Sequence, residues 1–440
     1  MNDSAPTGHQ ISLLLDGTQY DQKVLEIIKA ATSIIHIQMY IFSDDEFGSK
    51  VIESLLEARL KGVAVYILVD SIGSKELPKE IDQKLCESGA IFCRFNRLGA
   101  FSIAKWGRRL HHKVVIVDDT EAIVGGINLH SAYDTEFPEG PRLDFAVYVK
   151  GPVVLKISDY CQKLFQKNHK NELQFPLLPV FTPNCGDHKV KMLVNDWVRN
   201  RRAITKEYLA ITQMAQESIT IINSYFFPRK NFMNELVAAK KRGVRVRLIL
   251  PQISDWPSWI LASEYLYGFF LKEGIEIYQW EKSILHGKLA CVDGLWSTIG
   301  SFNLNYTSYQ GNLEMNLNIY SKEFSQTLKQ KIDQLIETGC KKVESEQFLK
   351  RAPFMIKLER LFFYILLSLI SNFSLAFIYK ENNLHQNPLL LPPSLVLIVA
   401  IVCFIVGVVG IVFPILPGIP FLLVSFFLIY KQVQNNRNRS

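Results

Sequence analysis

Two stretches of this chain carry the same reactive side chains at the same spacing. One begins at Leu110-His111-His112-Lys113, the other at Leu285-His286-Gly287-Lys288. Each reads His, one residue, Lys, four residues, Asp, six residues, Gly, a small residue, one residue, Asn. The first copy is His111, Lys113, Asp118, Gly125, Gly126 and Asn128; the second is His286, Lys288, Asp293, Gly300, Ser301 and Asn303. The alignment singles out His111 over its neighbour His112, which has a glycine as counterpart and reads as structural. Two histidines, two lysines and two amides suit an anion that gains charge during reaction. A phosphodiester is such an anion: the lysines and amides stabilise five-coordinate phosphorus. One histidine attacks phosphorus and the other moves the proton of the departing and arriving alcohols. Such a site needs neither metal nor cofactor.

The elements around the motifs follow from periodicity. The run KVVIVDD is short, apolar and β-branched, which predicts a buried strand. Side chains alternate faces along a strand, so His111 and Lys113 share a face, as do His286 and Lys288. Asp118 and Asp293 complete the motif and are grouped with the catalytic set, although parity turns them to the other face. The small residues Gly126 and Ser301 are expected to permit close approach of the substrate, with Asn128 and Asn303 aimed at it. The motif repeat sits inside a larger one. The segments from Ile34 and from Ile219 both read as an apolar strand ending in Tyr40-x-Phe42 or Tyr225-x-Phe227, then an amphipathic helix stopped at Gly62 or Gly243, then a second buried strand. Strand, helix and strand in alternation predict an α/β fold with mostly parallel sheets. The expected layout is two halves, 1–185 and 186–348, related by a pseudo-twofold.

The 440 residues include seven scattered cysteines and carry a net charge of +7. No cysteine spacing suggests a metal site, and the charge suits nucleic acid or an anionic membrane. The N-terminal MNDSAPTGHQ lacks the pattern of a cleavable signal. Residues 349–440 favour the membrane. Leu361 to Tyr379 is nineteen residues without a charge, about 28 Å as a helix. Asn387 to Tyr430 is without Asp, Glu, Lys, Arg or His and is broken by Pro414, Pro417, Gly418 and Pro420. Spans at about 361–379 and 394–430 are expected. Lys350, Arg351, Lys357, Arg360 and the tail's Lys431, Arg437 and Arg439 put both flanks in the cytoplasm by the positive-inside bias. Arg94, Arg97, Lys105, Arg108 and Arg109 form a basic run before the first motif, suited to lipid headgroups or to a solvated loop. The aromatic segment SDWPSWILASEYLYGFF, from Ser254 to Phe270, suits an interfacial or a packed helix.

The paired motif resembles the phospholipase D superfamily. ISLLLDGTQY, QMYIFSDDEFGSKV, GGINLHSAYD, INSYFFP and LHGKLACVDGLWSTIGSFNLN resemble more narrowly the bacterial cardiolipin synthases of the phospholipase D type, over about Gln10 to Val343. The resemblance implies transfer of a phosphatidyl group between two phosphatidylglycerol molecules through a phosphohistidine, with release of glycerol. It implies His111 as nucleophile and His286 as general acid and base, with the exchanged roles open, and Asp144 and Glu314 as the acids that orient the histidines. It further implies a phospholipid substrate; the apolar stretches and their basic flanks imply an anionic membrane as partner, no nucleic acid, and a multi-pass protein of the bacterial inner membrane with its catalytic region cytoplasmic. A hydrolase releasing phosphatidic acid, or a nuclease, uses the same motifs. The C-terminal spans depart from the family pattern.

Overall fold

The computed structural model describes residues 7–15, 17–96, 108–134, 141–169, 171–176, 185–196, 202–350 and 352–382, with side chains of the last helix to Ser371, and Ser425. Its strands sort into two sheets. The first comprises β1 (Gln10–Leu14), β2 (Ile34–Met39), β3 (Ala64–Asp70), β4 (Ile91–Phe95), β6 (Lys113–Val117), β7 (Glu121–Gly125) and β8 (Ala146–Lys150), in the order β1-β8-β7-β6-β2-β3-β4. The short β5 (Arg109–Leu110), just before the first motif, joins the second sheet instead. That sheet holds β9 (Lys189–Asn195), β10 (Ser218–Asn223), β11 (Arg245–Pro251), β12 (Glu276–Trp280), β13 (Lys288–Val292), β14 (Trp296–Gly300), β15 (Asn312–Tyr320) and β16 (Cys340–Lys342). Its order is β16-β12-β11-β10-β13-β14-β15-β5, with β9 also on β15.

The sheets are mixed, which corrects the expectation of mostly parallel ones. The strand–helix–strand segments do give parallel β2-β3-β4 and β10-β11-β12. The motif segments do the opposite. Each folds into a hairpin, β6-β7 and β13-β14, and lies antiparallel against the parallel set. The turn residues explain this. Asp118 and Asp119 have φ of 51° and 54°, and Asp293 and Gly294 have φ of 54° and 61°. Aspartate and glycine tolerate this left-handed backbone, and a turn three residues long can connect only antiparallel neighbours.

The apolar runs of the motif strands are unbroken because both faces are buried. Val115 and Val117 face a core with the helices Gly17–Ala30 and Glu46–Leu60. Val114 and Ile116 face a shared core that includes Leu289, Cys291, Ile299, Met315 and Leu317 of the second sheet. The helices Val153–Asn168 and Lys322–Gly339 contribute to that shared core. A third core lies beneath the helices Ala203–Met214, Lys230–Lys241 and Pro257–Lys272. Both halves thus belong to one unit, residues 1–375, and residues 376–440 form a second.

The first expected span falls on the helix Phe354–Asn382. Among the described residues no helix is long and apolar enough to cross a membrane. The second expected span, 394–430, falls outside the described residues apart from Ser425. Arg360, expected as a basic flank, is bonded to Glu264 at 2.8 Å. Arg94 and Arg109 are also held inside the fold, by Asp82 and Asp70. Arg97 and Lys105 lie outside the described residues.

Candidate active site

Each motif histidine is positioned by the other half of the chain. The His111 amide donates to the Leu313 carbonyl at 3.0 Å, and the His286 amide donates to the Leu143 carbonyl at 2.8 Å. Leu110 pairs with Leu313 in parallel register, and Leu285 bridges Leu143 the same way. The next residue in each partner segment is an acid. Glu314 therefore meets the ring of His111, with Nδ1 to Oε2 at 2.8 Å, and Asp144 meets His286, with Nδ1 to Oδ2 at 2.6 Å. A carboxylate on Nδ1 fixes the proton there and leaves Nε2 with its lone pair. The expectation that Asp144 and Glu314 lie beside the histidines matches this geometry. That they cross between halves had no signal in the sequence, because the spacing within each repeat is silent about pairing between repeats.

Each lysine folds back on the carbonyl of its own motif histidine. Lys113 Nζ donates to the His111 carbonyl at 2.9 Å and sits 5.0 Å from the Tyr40 ring centre. Lys288 Nζ lies 2.8 Å from His286 Nδ1 and 3.4 Å from Asp144 Oδ2, and donates to the His286 carbonyl. Burial and repulsion from Lys288 push Lys113 down to about 7. Burial also lowers Lys288. Both histidines are held below the ordinary imidazole range by burial, with the lysines adding to it. Burial pushes Asp144 up to about 6 against the pull of Lys288. Burial opposes ionisation of Glu314 too, but His111, Lys113 and Ser301 outweigh it and hold that carboxyl below its usual range. Burial thus disfavours the charged forms of both lysines, and an anion placed between them favours those forms.

The small residues of the motif serve the carboxylates. Ser301 donates to Glu314, which also receives Ser308 at 2.7 Å and Asn312 at 3.1 Å. At the equivalent Gly126, a Cβ would lie 2.2 Å from Asp144 Oδ1, so only glycine leaves room. The expectation that Gly126 and Ser301 face the substrate is corrected: each stands behind the acid of its own half. Asn128 is also engaged, accepting from the Ile41 amide at 3.1 Å and donating to the Tyr133 hydroxyl at 2.9 Å. Asn303 accepts from Ser224 at 2.9 Å, and its amide nitrogen has no partner among the described residues.

Asp118 and Asp293 lie at the far ends of the motif strands, not with the histidines. Asp118 accepts from the amides of Thr32, Ser33 and Ile34 and from the Thr32 hydroxyl, all at 2.8–2.9 Å. Asp293 accepts from the amides of Gln216, Glu217 and Ser218. Each ties the motif hairpin to the start of the neighbouring strand, which corrects their grouping with the catalytic residues. His112 is buried and structural, bonded through Nδ1 to Gln38 at 2.9 Å.

Four further residues line the His286 side. Tyr133 Oη lies 3.2 Å from His286 Nδ1, and the Tyr225 ring meets His286 edge-on at 6.1 Å between centres. Tyr225 donates to Asp255 at 2.6 Å, and Arg142 lies 3.3 Å from the other oxygen of Asp255. Tyr225 was legible as the end of a repeated strand. Tyr133, Arg142 and Asp255 lie outside the repeat and gave no signal.

The sequence profile described as "Cardiolipin synthase, PLD-like domain" matches residues 24–165 and 208–336. The chain is 32% identical over 357 residues to cardiolipin synthase B of Salmonella typhi, and 30% identical over 356 residues to cardiolipin synthase B of Escherichia coli K12. Each match covers 78% of this chain and 84% of the relative. Its fold is similar to the crystal structure of phosphatidylserine synthase from Haemophilus influenzae, with a TM-score of 0.63 at 15% identity, covering 84% of this chain and 97% of that one.

Proposed function

Since the chain belongs to the phospholipase D-like cardiolipin synthase family, we propose that it makes cardiolipin from two phosphatidylglycerol molecules and releases glycerol. The observation that carries this reading is the pair of crossed histidine–carboxylate contacts, His111–Glu314 and His286–Asp144. Nε2 of His111 attacks phosphorus, a nitrogen–phosphorus bond forms, and the bond to the glycerol oxygen breaks. With the anionic phosphodiester bound beside it, His286 enters the step as the imidazolium, its second proton on Nε2, and gives that proton to the oxygen as glycerol leaves. It then takes the proton of the second phosphatidylglycerol's hydroxyl, whose oxygen displaces His111 from phosphorus. Lys113, Lys288 and the free amide of Asn303 stabilise the charge that builds on the phosphoryl oxygens. Glu314 and Asp144 hold each ring and balance its positive charge, the part played by the buried acid of a serine-protease triad. Asn128 acts through Tyr133.

The substrate is a lipid, so the site works at an anionic membrane. Two features support this. Trp256, Tyr265 and Phe269, on and beside the helix Pro257–Lys272, and Phe354, Met355 and Leu358 on the last helix, are exposed. The apolar stretch 394–430 then anchors the chain in a bacterial inner membrane with the catalytic unit on the cytoplasmic side.

A product assay decides the reaction. Full-length protein in mixed micelles with phosphatidylglycerol as the sole phospholipid should yield cardiolipin and glycerol in equal amounts. His111→Ala and His286→Ala should yield neither. Phosphatidic acid in place of cardiolipin would overturn the transferase reading in favour of hydrolysis. No turnover of any phospholipid, with cleavage of nucleic acid, would overturn the lipid substrate.

A further inference from the structure

A second acid near His286, besides Asp144, belongs to neither motif. Asp255 sits between β11 and the helix Pro257–Lys272, and its side chain is 28% exposed. Its Oδ1 accepts from Tyr225 at 2.6 Å and from Ser254 at 3.2 Å, and its Oδ2 lies 3.3 Å from Arg142 Nη1. Its charge is felt by His286 and Lys288. A fixed negative charge beside a phosphodiester site disfavours the phosphate itself, by ordinary repulsion. The carboxylate is nonetheless held ionised: burial opposes its charge, but Tyr225, His286 and Arg142 outweigh burial and keep it below the usual range. Ionised, it is an acceptor only, with about four lone-pair positions. Three donors of the protein occupy part of that capacity, and the exposed edge retains the rest.

The other half of the site has no acid at the equivalent position, and its nearby Asp70 is fully buried and engaged by Arg109. Ile37 pairs with Ile67 as Ile222 pairs with Ile249. Counting onward equally from Ile67 and Ile249 puts Gly73 where the second half has Asp255. Gly73 packs directly on Tyr40, leaving space for no side chain there. The site is therefore symmetric in its histidines, lysines and acids, and asymmetric at its rim. The reaction is asymmetric in the same sense, since a phosphoryl group passes from one alcohol to another at one end only.

We infer that Asp255, braced by Tyr225 and Arg142, receives the hydroxyl groups of the polyol headgroup on the His286 side and so sets the preference for a glycerol-type alcohol. This rests on the transferase reading above and adds the alcohol specificity to it. Repulsion keeps phosphate away from the carboxylate, while vicinal hydroxyls supply the donors it lacks. A site that hydrogen-bonds a substrate hydroxyl disfavours an analogue lacking it, because the partly exposed acceptor forgoes a charge-assisted bond that the hydroxyl would have made.

The test uses full-length protein in mixed micelles with phosphatidyl-p-nitrophenol as donor, so that the leaving group carries no polyol. Glycerol and 1-propanol are offered as acceptors to the wild type, Asp255→Asn and Tyr225→Phe. The ratio of kcat/KM for glycerol to that for 1-propanol should fall about tenfold or more in Asp255→Asn, mainly through KM. In Tyr225→Phe, which keeps the ring and removes one brace, it should fall less. Thermal melts confirm that both variants fold. A ratio within threefold of wild type in folded Asp255→Asn, with both acceptors used equally less well, would overturn the inference and leave Asp255 a structural brace. Wild-type protein that releases p-nitrophenol but transfers to neither alcohol would overturn the transferase reading itself.

Discussion

Gly126→Ala separates the crossed site from any arrangement in which each half serves itself. The added methyl would lie 2.2 Å from Asp144 Oδ1 and 2.5 Å from Oδ2. Ordinary contact starts near 3.4 Å, so the carboxylate must withdraw by about 1.2 Å to restore van der Waals separation. Its bond to His286 is 2.6 Å long, and a displacement of that size takes the carboxylate out of hydrogen-bond geometry with the ring, whether it compresses the contact or turns Oδ2 away. The ring loses the contact that fixes its proton and aim. Misplacement by about 1 Å in a catalytic constellation costs on the order of a hundredfold in rate, or about 2.7 kcal/mol in barrier height. Overpacking should also lower stability by about 1–3 kcal/mol. The assay is cardiolipin formation below the melting transition, with the folded fraction measured alongside. Asp144→Asn, which has the same shape, supplies the comparison if Gly126→Ala proves too unstable. A folded Gly126→Ala protein with kcat/KM within threefold of wild type would refute the reasoning, because Asp144 would then be dispensable for His286 or free to move at no cost.

Two further outcomes follow from the geometry. Asp118→Asn turns an amide group toward donors that now meet a carboxylate; it should lower stability by about 1–3 kcal/mol, read as a shift in urea midpoint, while activity per folded molecule stays within threefold. Acid stability is the second. His36 and His112 are buried and held neutral, each pushed down to about 3 by burial. Since the unfolded chain titrates them near 6.5, the stability they confer is complete above that pH and is lost as pH falls toward 3. Each contributes a slope of up to about 1.4 kcal/mol per pH unit. Urea midpoints at pH 7, 6 and 5 should fall accordingly, and His112→Gln should flatten the fall; equal slopes for both proteins would sink this account.

Much of the site was legible because chemistry had to be duplicated. A repeat exposes His111, Lys113, His286 and Lys288 through spacing alone, and strand parity placed each His–Lys pair on one face. Parity also turned Asp118 and Asp293 away, and the structure shows what they hold there. The sheet direction was misread for a local reason. The strand–helix–strand periodicity of Ile34–Asp70 is a strong signal, whereas the hairpin turn at Asp118-Asp119 announces itself only through backbone angles. Gly126 and Ser301 looked like places for a substrate because small residues permit approach. What approaches them is a carboxylate from the segment just before β8 or from β15, and tertiary neighbours of that kind leave no periodic trace. Asp255 was illegible for the opposite reason: it breaks the repeat, so no counterpart drew attention to it.

The crossing of the acids also governs how such a chain can change over generations. Glu314 lies 203 positions from the histidine it serves, and Asp144 lies 142 positions from its own. A recombination event between the halves would exchange a histidine and leave its acid behind. Both motifs would survive letter for letter, and both pairings would join strangers. The two halves are therefore inherited as a matched set, and a compensating change for damage in one repeat has to be sought in the other.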